Sequence, residues 1–434
     1  MQRRHLLQWF AASPVLSALA LPAQAASVRP ALTSWLPEQG QSHAIGRLSR
    51  SISPEWIKNW THDRGTPAGS FLRTAAVDLP QGHYGVVFQL WHKSAPGQLL
   101  GELRAWQGGS LLARQPLYAD EIADKHAGGY QRALLEVTLH GDSRGVEFEL
   151  YFAAQADLWT GMVSVTPLDS PRPFYNIAHR CSTQAKVRES VAAGANAIEC
   201  DLTPKELGDD VGFYVYHIGD LAYTHYRDFD AYLQQLKQLL DSGALAMVML
   251  DCKQDKAIAP ATYAKRLAER LLAVGIAPQQ VVMSVPGNTA AAFYDTLAAG
   301  DAPLYPCVFD SYLEDYGDLT PASWVQQVEA TGATFIGVGA VVYDIFKPMP
   351  HWMPWLQALT SRRDALGQIR KSFFWTVDRP QSMRNALDAG VDAIITNKPG
   401  CLAQVLKEAP YARILRLATG QDDLTARHGD APLR

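Results

Sequence analysis

From Phe174 to Glu408 the chain repeats one unit eight times, a short apolar run followed by an amphipathic stretch. The apolar runs fall at Phe174–His179, Ala197–Leu202, Met247–Lys253, Val281–Pro286, Tyr305–Asp310, Thr334–Ala340, Ser372–Asp378 and Ala393–Asn397. The spacing predicts helices over 183–193, 228–241, 261–273, 289–298, 321–331, 352–366, 380–388 and 401–408. Near-continuous apolar runs of this length suit strands buried on both faces. Gly194, Gly243, Gly275, Gly300, Gly332, Gly367 and Gly390 follow the helical stretches, where a left-handed residue ends a helix. Strict strand–helix alternation demands a parallel sheet, and eight units match a closed (β/α)8 TIM barrel better than a doubly wound sheet. The segment Phe213–His217 is read as part of the loop after the second strand.

Residues ahead of the barrel follow a different rhythm. Gly85–Trp91 and Gly145–Tyr151 are apolar or alternate, and Ala133, Leu135, Val137 and Leu139 fall on one face of a third run. Turn clusters such as Ala95-Pro96-Gly97 and Gly141-Asp142-Ser143 separate them, as in an antiparallel β-sandwich. The chain is therefore expected to be multi-domain. A sandwich occupies 27–168, a linker rich in proline follows at Leu168–Pro173, the barrel spans 174–410, and 411–434 forms a C-terminal tail. Trp91, Trp106 and Trp159 are candidates for stacking on sugar or lying on lipid, although aromatics in a sandwich more often form its core.

The first residues have an export pattern. Arg3-Arg4 precede an apolar stretch from Leu6 to Leu21, then the cleavage-type sequence Ala23-Gln24-Ala25. Adjacent arginines favour twin-arginine export over an ordinary secretory signal in 1–25, and a periplasmic or secreted location is expected. A net charge of −4 without a basic stripe gives no sign of a nucleic-acid partner. Five cysteines are an odd set for an oxidising compartment. Alternation turns Cys200 and Cys252 away from their acidic neighbours and towards the helix layer, as small packing residues.

Within the barrel, four strand ends carry chemistry: Ile177-Ala178-His179, Glu199-Cys200-Asp201, Tyr216-His217 and Asp251-Cys252-Lys253. Residues i and i+2 of a strand face the same way. Glu199 shares a face with Asp201, and Asp251 with Lys253, at the barrel end where such folds place their sites. Three carboxylates offer hard oxygen ligands for one divalent cation, and a site with open positions for substrate suits Mg²⁺. The competing reading pairs these acids with Lys253 and with each other, but three acids against one ammonium leave excess negative charge. Imidazole has a near-neutral intrinsic pKa, so of His179 and His217 one can take a proton while the other gives one. Lys253 would stabilise phosphoryl charge. Trp375 either walls a substrate group or simply packs. Asp378 and Asn397 also fall at strand ends.

These residues carry a family resemblance over about Tyr175 to Asp423. The segments Gly194–Asp201, Tyr216-His217, Leu250–Lys253, Val282–Pro286 and above all Trp375–Asp378 with Arg384–Pro399 resemble the sphingomyelinase D/phospholipase D toxin-type family, itself related to glycerophosphodiester phosphodiesterases. The resemblance implies His179 and His217 as the acid–base pair, Glu199, Asp201 and Asp251 as Mg²⁺ ligands, and Lys253 and Trp375 on the substrate side; Asp378 and Asn397 are expected on that side from their strand-end positions. It implies release of the headgroup from sphingomyelin or a lysophospholipid, by hydrolysis or by attack of the substrate's own hydroxyl to give a cyclic phosphate. Peripheral contact with a membrane surface and a monomeric state are expected with it.

Cys181 stands where glycerophosphodiesterases usually carry glycine, and Leu417–Asp423 is similar to the C-terminal plug of the toxin-type enzymes. Leu424-Thr425-Ala426 replaces the plug's next three residues, Phe373 stands where tyrosine is common, and Ile218–Leu221 replaces the cysteine-bridged loop of the spider enzymes. Two other readings stand beside this one: a glycerophosphodiester phosphodiesterase acting on soluble deacylated substrates, and a barrel kept as a binding module.

Overall fold

A computed structural model describes the chain from Thr33 to Ala426, without 38–39, 50–58, 63–66, 122–130, 209, 254, 256, 286–291, 294, 298–306, 313–318, 331–333, 340–352 and 365–368. The expected export segment lies outside the described residues, as do Gly300, Gly332 and Gly367.

Two antiparallel sheets precede the barrel. In one, Gly82–Lys93 lies between Gln131–Leu139 and Asp157–Pro167. In the other, Ser143–Phe152 lies between Gly69–Thr74 and Leu99–Gln107. Phe88, Leu135 and Val165 of the first share one core with Phe71, Leu103, Phe148 and Leu150 of the second. Alternation explains why Gly82–Lys93 is buried on both faces: Val86, Phe88 and Leu90 enter that core, whereas Val87 packs with residues of the barrel. Trp159 is buried and packs at a tilt of 49° on half-buried Trp91, with ring centroids 4.4 Å apart, and Trp106 donates to Glu149 at 2.8 Å.

Eight parallel strands follow: β1 (Arg172–Ala178), β2 (Ala197–Leu207), β3 (Met247–Cys252), β4 (Val281–Ser284), β5 (Cys307–Tyr312), β6 (Phe335–Gly339), β7 (Lys371–Trp375) and β8 (Ala393–Thr396). Each pairs with the next, and β1 pairs with both β2 and β8, so the strands form a ring. Helices α1 (Gln184–Ala192), α2 (Phe229–Asp241), α3 (Pro260–Val274), α4 (Pro321–Ala330), α5 (Met353–Asp364), α6 (Pro380–Asp388) and α7 (Pro399–Val405) lie between or after strands. Gly194, Gly243, Gly275 and Gly390 have positive φ just after helices, as their positions imply.

The ring has two apolar shells. Ile198, Cys200, Leu250 and Cys252 point outward among Leu233, Leu236 and Leu267 of the helices, and Cys181, Cys200 and Cys252 are buried free thiols. Ile177, Met249, Phe335 and Phe373 point inward. The tail enters this inner shell: Leu415–Leu417 pairs with β1, and Ala418 and Leu424 pack inside the ring. Leu424, one of the residues that departs from the plug pattern, is 1% exposed and fills the space.

Two expectations change. The segment expected as a loop at Phe213–His217 lies largely in a strand, Asp210–Val215, paired antiparallel with the extended end of β2. Its buried Val211, Phe213 and Val215 have the period of two that marks such a strand. The proline-rich junction is a packed corner, not a free tether. Leu168 is buried among barrel residues, and Asp169 accepts the backbone N–H of His83 at 2.9 Å.

The first sheet is also fixed to the barrel by charge. Asp388, at the end of α6, accepts hydrogen bonds from Gln89 (2.5 Å), Arg132 (2.9 Å) and Tyr411 (2.8 Å). Arg132 also donates to Asn385 at 3.0 Å. A buried carboxylate needs this many donors to offset its lost hydration.

Candidate active site

Strand register brings the acids together. Asp201 of β2 lies directly beside Asp251 of β3, two positions beyond the pair Glu199 and Met249. Oxygen atoms of Glu199, Asp201 and Asp251 lie within 4.8 Å of one another. Lys253 sits against two of them, with Nζ 2.6 Å from Asp201 and in contact with Asp251. These four residues line a pocket of about 140 Å³ with His179, His217 and Trp375. Gly339 makes room for Trp375, because a Cβ there would lie 1.9 Å from the tryptophan carbonyl oxygen.

The electrostatics of the cluster are unbalanced. Burial, then the charges of Asp201 and Asp251, push the carboxyl of Glu199 well above its ordinary range. Burial also raises Asp251, against the opposing pull of Lys253. Burial works against the charge of Lys253, but Asp251 and Asp201 outweigh it and hold the ammonium above its usual value. The Oδ2 atom of Asp201 is buried with no hydrogen-bond partner among the described residues. Three crowded carboxylates, one with an unused oxygen, fit a hard divalent cation better than they fit one lysine.

Both imidazoles are locked by their Nδ1 atoms. Asn397 Nδ2 donates to Asp378 at 2.8 Å, which leaves Asn397 Oδ1 to accept from His179 Nδ1 at 3.0 Å. The proton of His179 therefore sits on Nδ1, and its Nε2 lies 3.9 Å from Glu199. Burial lowers the pKa of His179, with the bond to Asn397 acting the other way. His217 Nδ1 donates to the Ile218 carbonyl at 2.8 Å, and its Nε2 accepts from Arg180 Nη2 at 2.8 Å. Each ring thus keeps its basic nitrogen towards the acids and Arg180. Asp378 and Asn397 do not line the pocket; they stand behind His179.

Arg180 lines the pocket and was not among the residues singled out by sequence. Alternation sends the residue after His179 away from the site. However, β1 ends at Ala178, and Arg180 adopts φ +53°, so the strand rule no longer applies there. Its backbone N–H donates to Glu199 at 2.8 Å while its side chain reaches His217. Asp220 was also missed. Its carboxylate accepts the backbone N–H of His217 at 3.0 Å and the hydroxyl of Ser182 at 2.5 Å.

The family profile described as dermonecrotic toxin SPH matches residues 169–279 and 337–424. Over these residues the chain is similar to that family. Among its relatives, dermonecrotic toxin LiSicTox-betaID1 of Loxosceles intermedia is 29% identical over 301 residues, covering 62% of this chain and 93% of the toxin. LlSicTox-alphaIII1i of Loxosceles laeta is 28% identical over 283 residues, with 59% and 89% covered. A solved glycerophosphoryl diester phosphodiesterase of Silicibacter pomeroyi aligns over 54% of this chain and 94% of its own, at 19% identity and a TM-score of 0.40. The matched profile starts at the corner after Asp157–Pro167, so the two N-terminal sheets stand outside it.

Proposed function

We propose that this chain is an exported, Mg²⁺-dependent phospholipase D that releases the headgroup of choline phospholipids such as sphingomyelin or lysophosphatidylcholine. One observation carries the reading: two imidazoles, each fixed through Nδ1 by a different acceptor, flank three clustered carboxylates in one pocket. That arrangement suits in-line displacement at phosphorus, which needs a base on one side and an acid on the other. Similarity to the dermonecrotic toxin SPH family supports a phosphodiesterase of the sphingomyelinase D type.

In this reading Glu199, Asp201 and Asp251 would hold the Mg²⁺, which when bound neutralises charge on the phosphodiester oxygens. His179, biased to the neutral form by burial, takes the proton of the attacking hydroxyl at Nε2. That hydroxyl belongs to water, or to the lipid itself when a cyclic phosphate forms. A new P–O bond forms, the P–O bond to the headgroup breaks, and His217, which must enter this step as an imidazolium with Arg180 turned from its Nε2 to the phosphoryl oxygens, gives the departing oxygen its Nε2 proton. Arg180 and Lys253 then face the phosphoryl oxygens. Asn397 and Asp378 hold the ring of His179, and Trp375 walls the substrate side. Residues 27–168 form a β-sandwich accessory domain, 174–410 the catalytic barrel, and 411–434 a tail that closes its bottom; export places them in the periplasm or medium.

The metal assignment is tested by isothermal titration of chelator-stripped protein with Mg²⁺, in parallel with choline release. One site is expected in the parent protein and none in Asp201→Asn, with turnover lost in EDTA and restored by Mg²⁺. Full turnover in EDTA would sink the assignment. Removing the guanidinium in Arg180→Ala is expected to lower kcat/KM about 10²-fold, as loss of one preorganised donor does elsewhere. Unchanged kcat/KM in that variant would place Arg180 outside the reaction.

A further inference from the structure

Beside the pocket the surface turns apolar in a way the chemistry does not use. His217 is followed by a short loop, closed at its base by paired hydrogen bonds between Val215 and Thr224 at 3.0 and 3.2 Å. Three more hydrogen bonds tie it down: Asp220 accepts from His217 and Ser182, and Thr224 donates to the Ser182 carbonyl at 2.9 Å. From this pinned frame Ile218 is 85% exposed, Leu221 103% and Tyr223 47%. Leu221 is as open as a side chain becomes, on a loop held at three points.

Resting on the phospholipase reading, we propose that this tip is a membrane-docking element. Leu221 and Ile218 enter the boundary between headgroups and acyl chains of a zwitterionic bilayer, which brings the pocket to lipids presented in that surface. The occupant follows from charge and shape. Between Tyr216 and Thr224 the single charged side chain apart from the imidazole of His217, which lines the pocket, is Asp220, and its carboxylate is turned inward onto the backbone of His217. A tip without exposed lysine or arginine gains nothing from anionic lipid, whose recognition depends on clustered basic residues. It also carries no exposed charge that would have to be stripped of water on entry.

Behind the aliphatic pair, Tyr223 meets Tyr216 edge-on at 5.2 Å and Tyr214 at 6.1 Å. Tyrosines with an apolar body and a polar tip favour the headgroup level of a bilayer. The order is therefore aliphatic tip, tyrosine collar, then polar pocket, which is the polarity gradient of a membrane surface. Among the described residues no helix is long and apolar enough to cross a membrane, so the contact proposed is peripheral. The loop is also continuous with the pocket, because the Ile218 carbonyl accepts the Nδ1 proton of His217.

The test uses the full chain with phosphatidylcholine vesicles in a sedimentation assay, comparing the parent with Leu221→Asp and Leu221→Phe. The parent and Leu221→Phe are expected to partition onto vesicles, and Leu221→Asp to do so at least about tenfold more weakly. Turnover of lysophosphatidylcholine below its micelle concentration is expected to be equal in all three, with turnover of vesicle lipid reduced in Leu221→Asp alone. Equal partitioning of parent and Leu221→Asp, or no partitioning by the parent, overturns the proposal. A concentration-dependent dimer abolished by Leu221→Asp, without vesicle binding, would assign the tip to a second copy of the chain and overturn it equally. Leu221-dependent vesicle binding without any phospholipid turnover would leave docking standing and remove the phospholipase reading instead.

Discussion

Replacing either histidine by alanine is expected to lower turnover by about 10²- to 10⁴-fold while leaving the fold intact, since in the proposed mechanism each removes one half of an acid–base pair. The two variants should be equally stable within error, because neither ring sits in an apolar core. His179 contacts Asn397 and His217 contacts Arg180, both at the mouth of the ring. The double variant should fall little below the weaker single one, as groups that act as a unit lose their effect together. Choline release and a urea transition measured on the same preparations separate loss of chemistry from loss of fold. An active double variant would place the chemistry elsewhere in the chain.

A second large effect is expected at the opposite end of the barrel. Asp392, just before β8, is buried and accepts from Arg172 (3.1 Å), Arg363 (2.5 Å) and the backbone and hydroxyl of Ser372 (2.8 and 3.0 Å). Burial alone would raise its pKa, but Arg363, Arg172 and Lys371 hold it well below the ordinary carboxylate range. Asp392→Asn leaves two buried guanidinium groups without their shared counter-charge, a loss of about 3–5 kcal/mol for a broken buried pair.

The pH dependence follows from the sign of the shift. A carboxylate with a depressed folded-state pKa stabilises the fold above its unfolded value of about 3.9, and that contribution is lost as the pH falls towards the folded value. Urea transitions at pH 7 should therefore separate the parent from Asp392→Asn widely, and the gap should narrow below about pH 4. A gap independent of pH would mean that the charge of Asp392 contributes nothing and the loss is steric.

Much of this was legible in the residues. The barrel followed from a repeated pattern and its terminal glycines, and the acid cluster from the two-residue period of β2 and β3. The same period sent Cys200 and Cys252 outward, where they lie. Where the period stopped, the reading stopped with it. Arg180 escaped because a left-handed residue breaks alternation right after His179. Asp220 escaped because its partner is a backbone N–H, for which no side-chain pattern exists. Asp378 and Asn397 were placed beside the pocket by strand position, but their hydrogen bonds show them behind His179, a distinction that depends on loop geometry. The strand at Asp210–Val215 was hidden because a hairpin between a barrel strand and its helix interrupts the expected alternation. Leu168 read as linker because its prolines were weighed and its contact with the barrel, a matter of tertiary packing, was not visible.

The central claim is a metal-assisted attack on a choline phospholipid, and phosphorus NMR addresses it most directly. Purified protein is incubated with sphingomyelin, lysophosphatidylcholine and glycerophosphocholine, each with Mg²⁺ and with EDTA. The account predicts that sphingomyelin or lysophosphatidylcholine is converted to a phosphomonoester or cyclic phosphate in Mg²⁺ and not in EDTA. Conversion of glycerophosphocholine alone would contradict it and assign the pocket to soluble phosphodiesters.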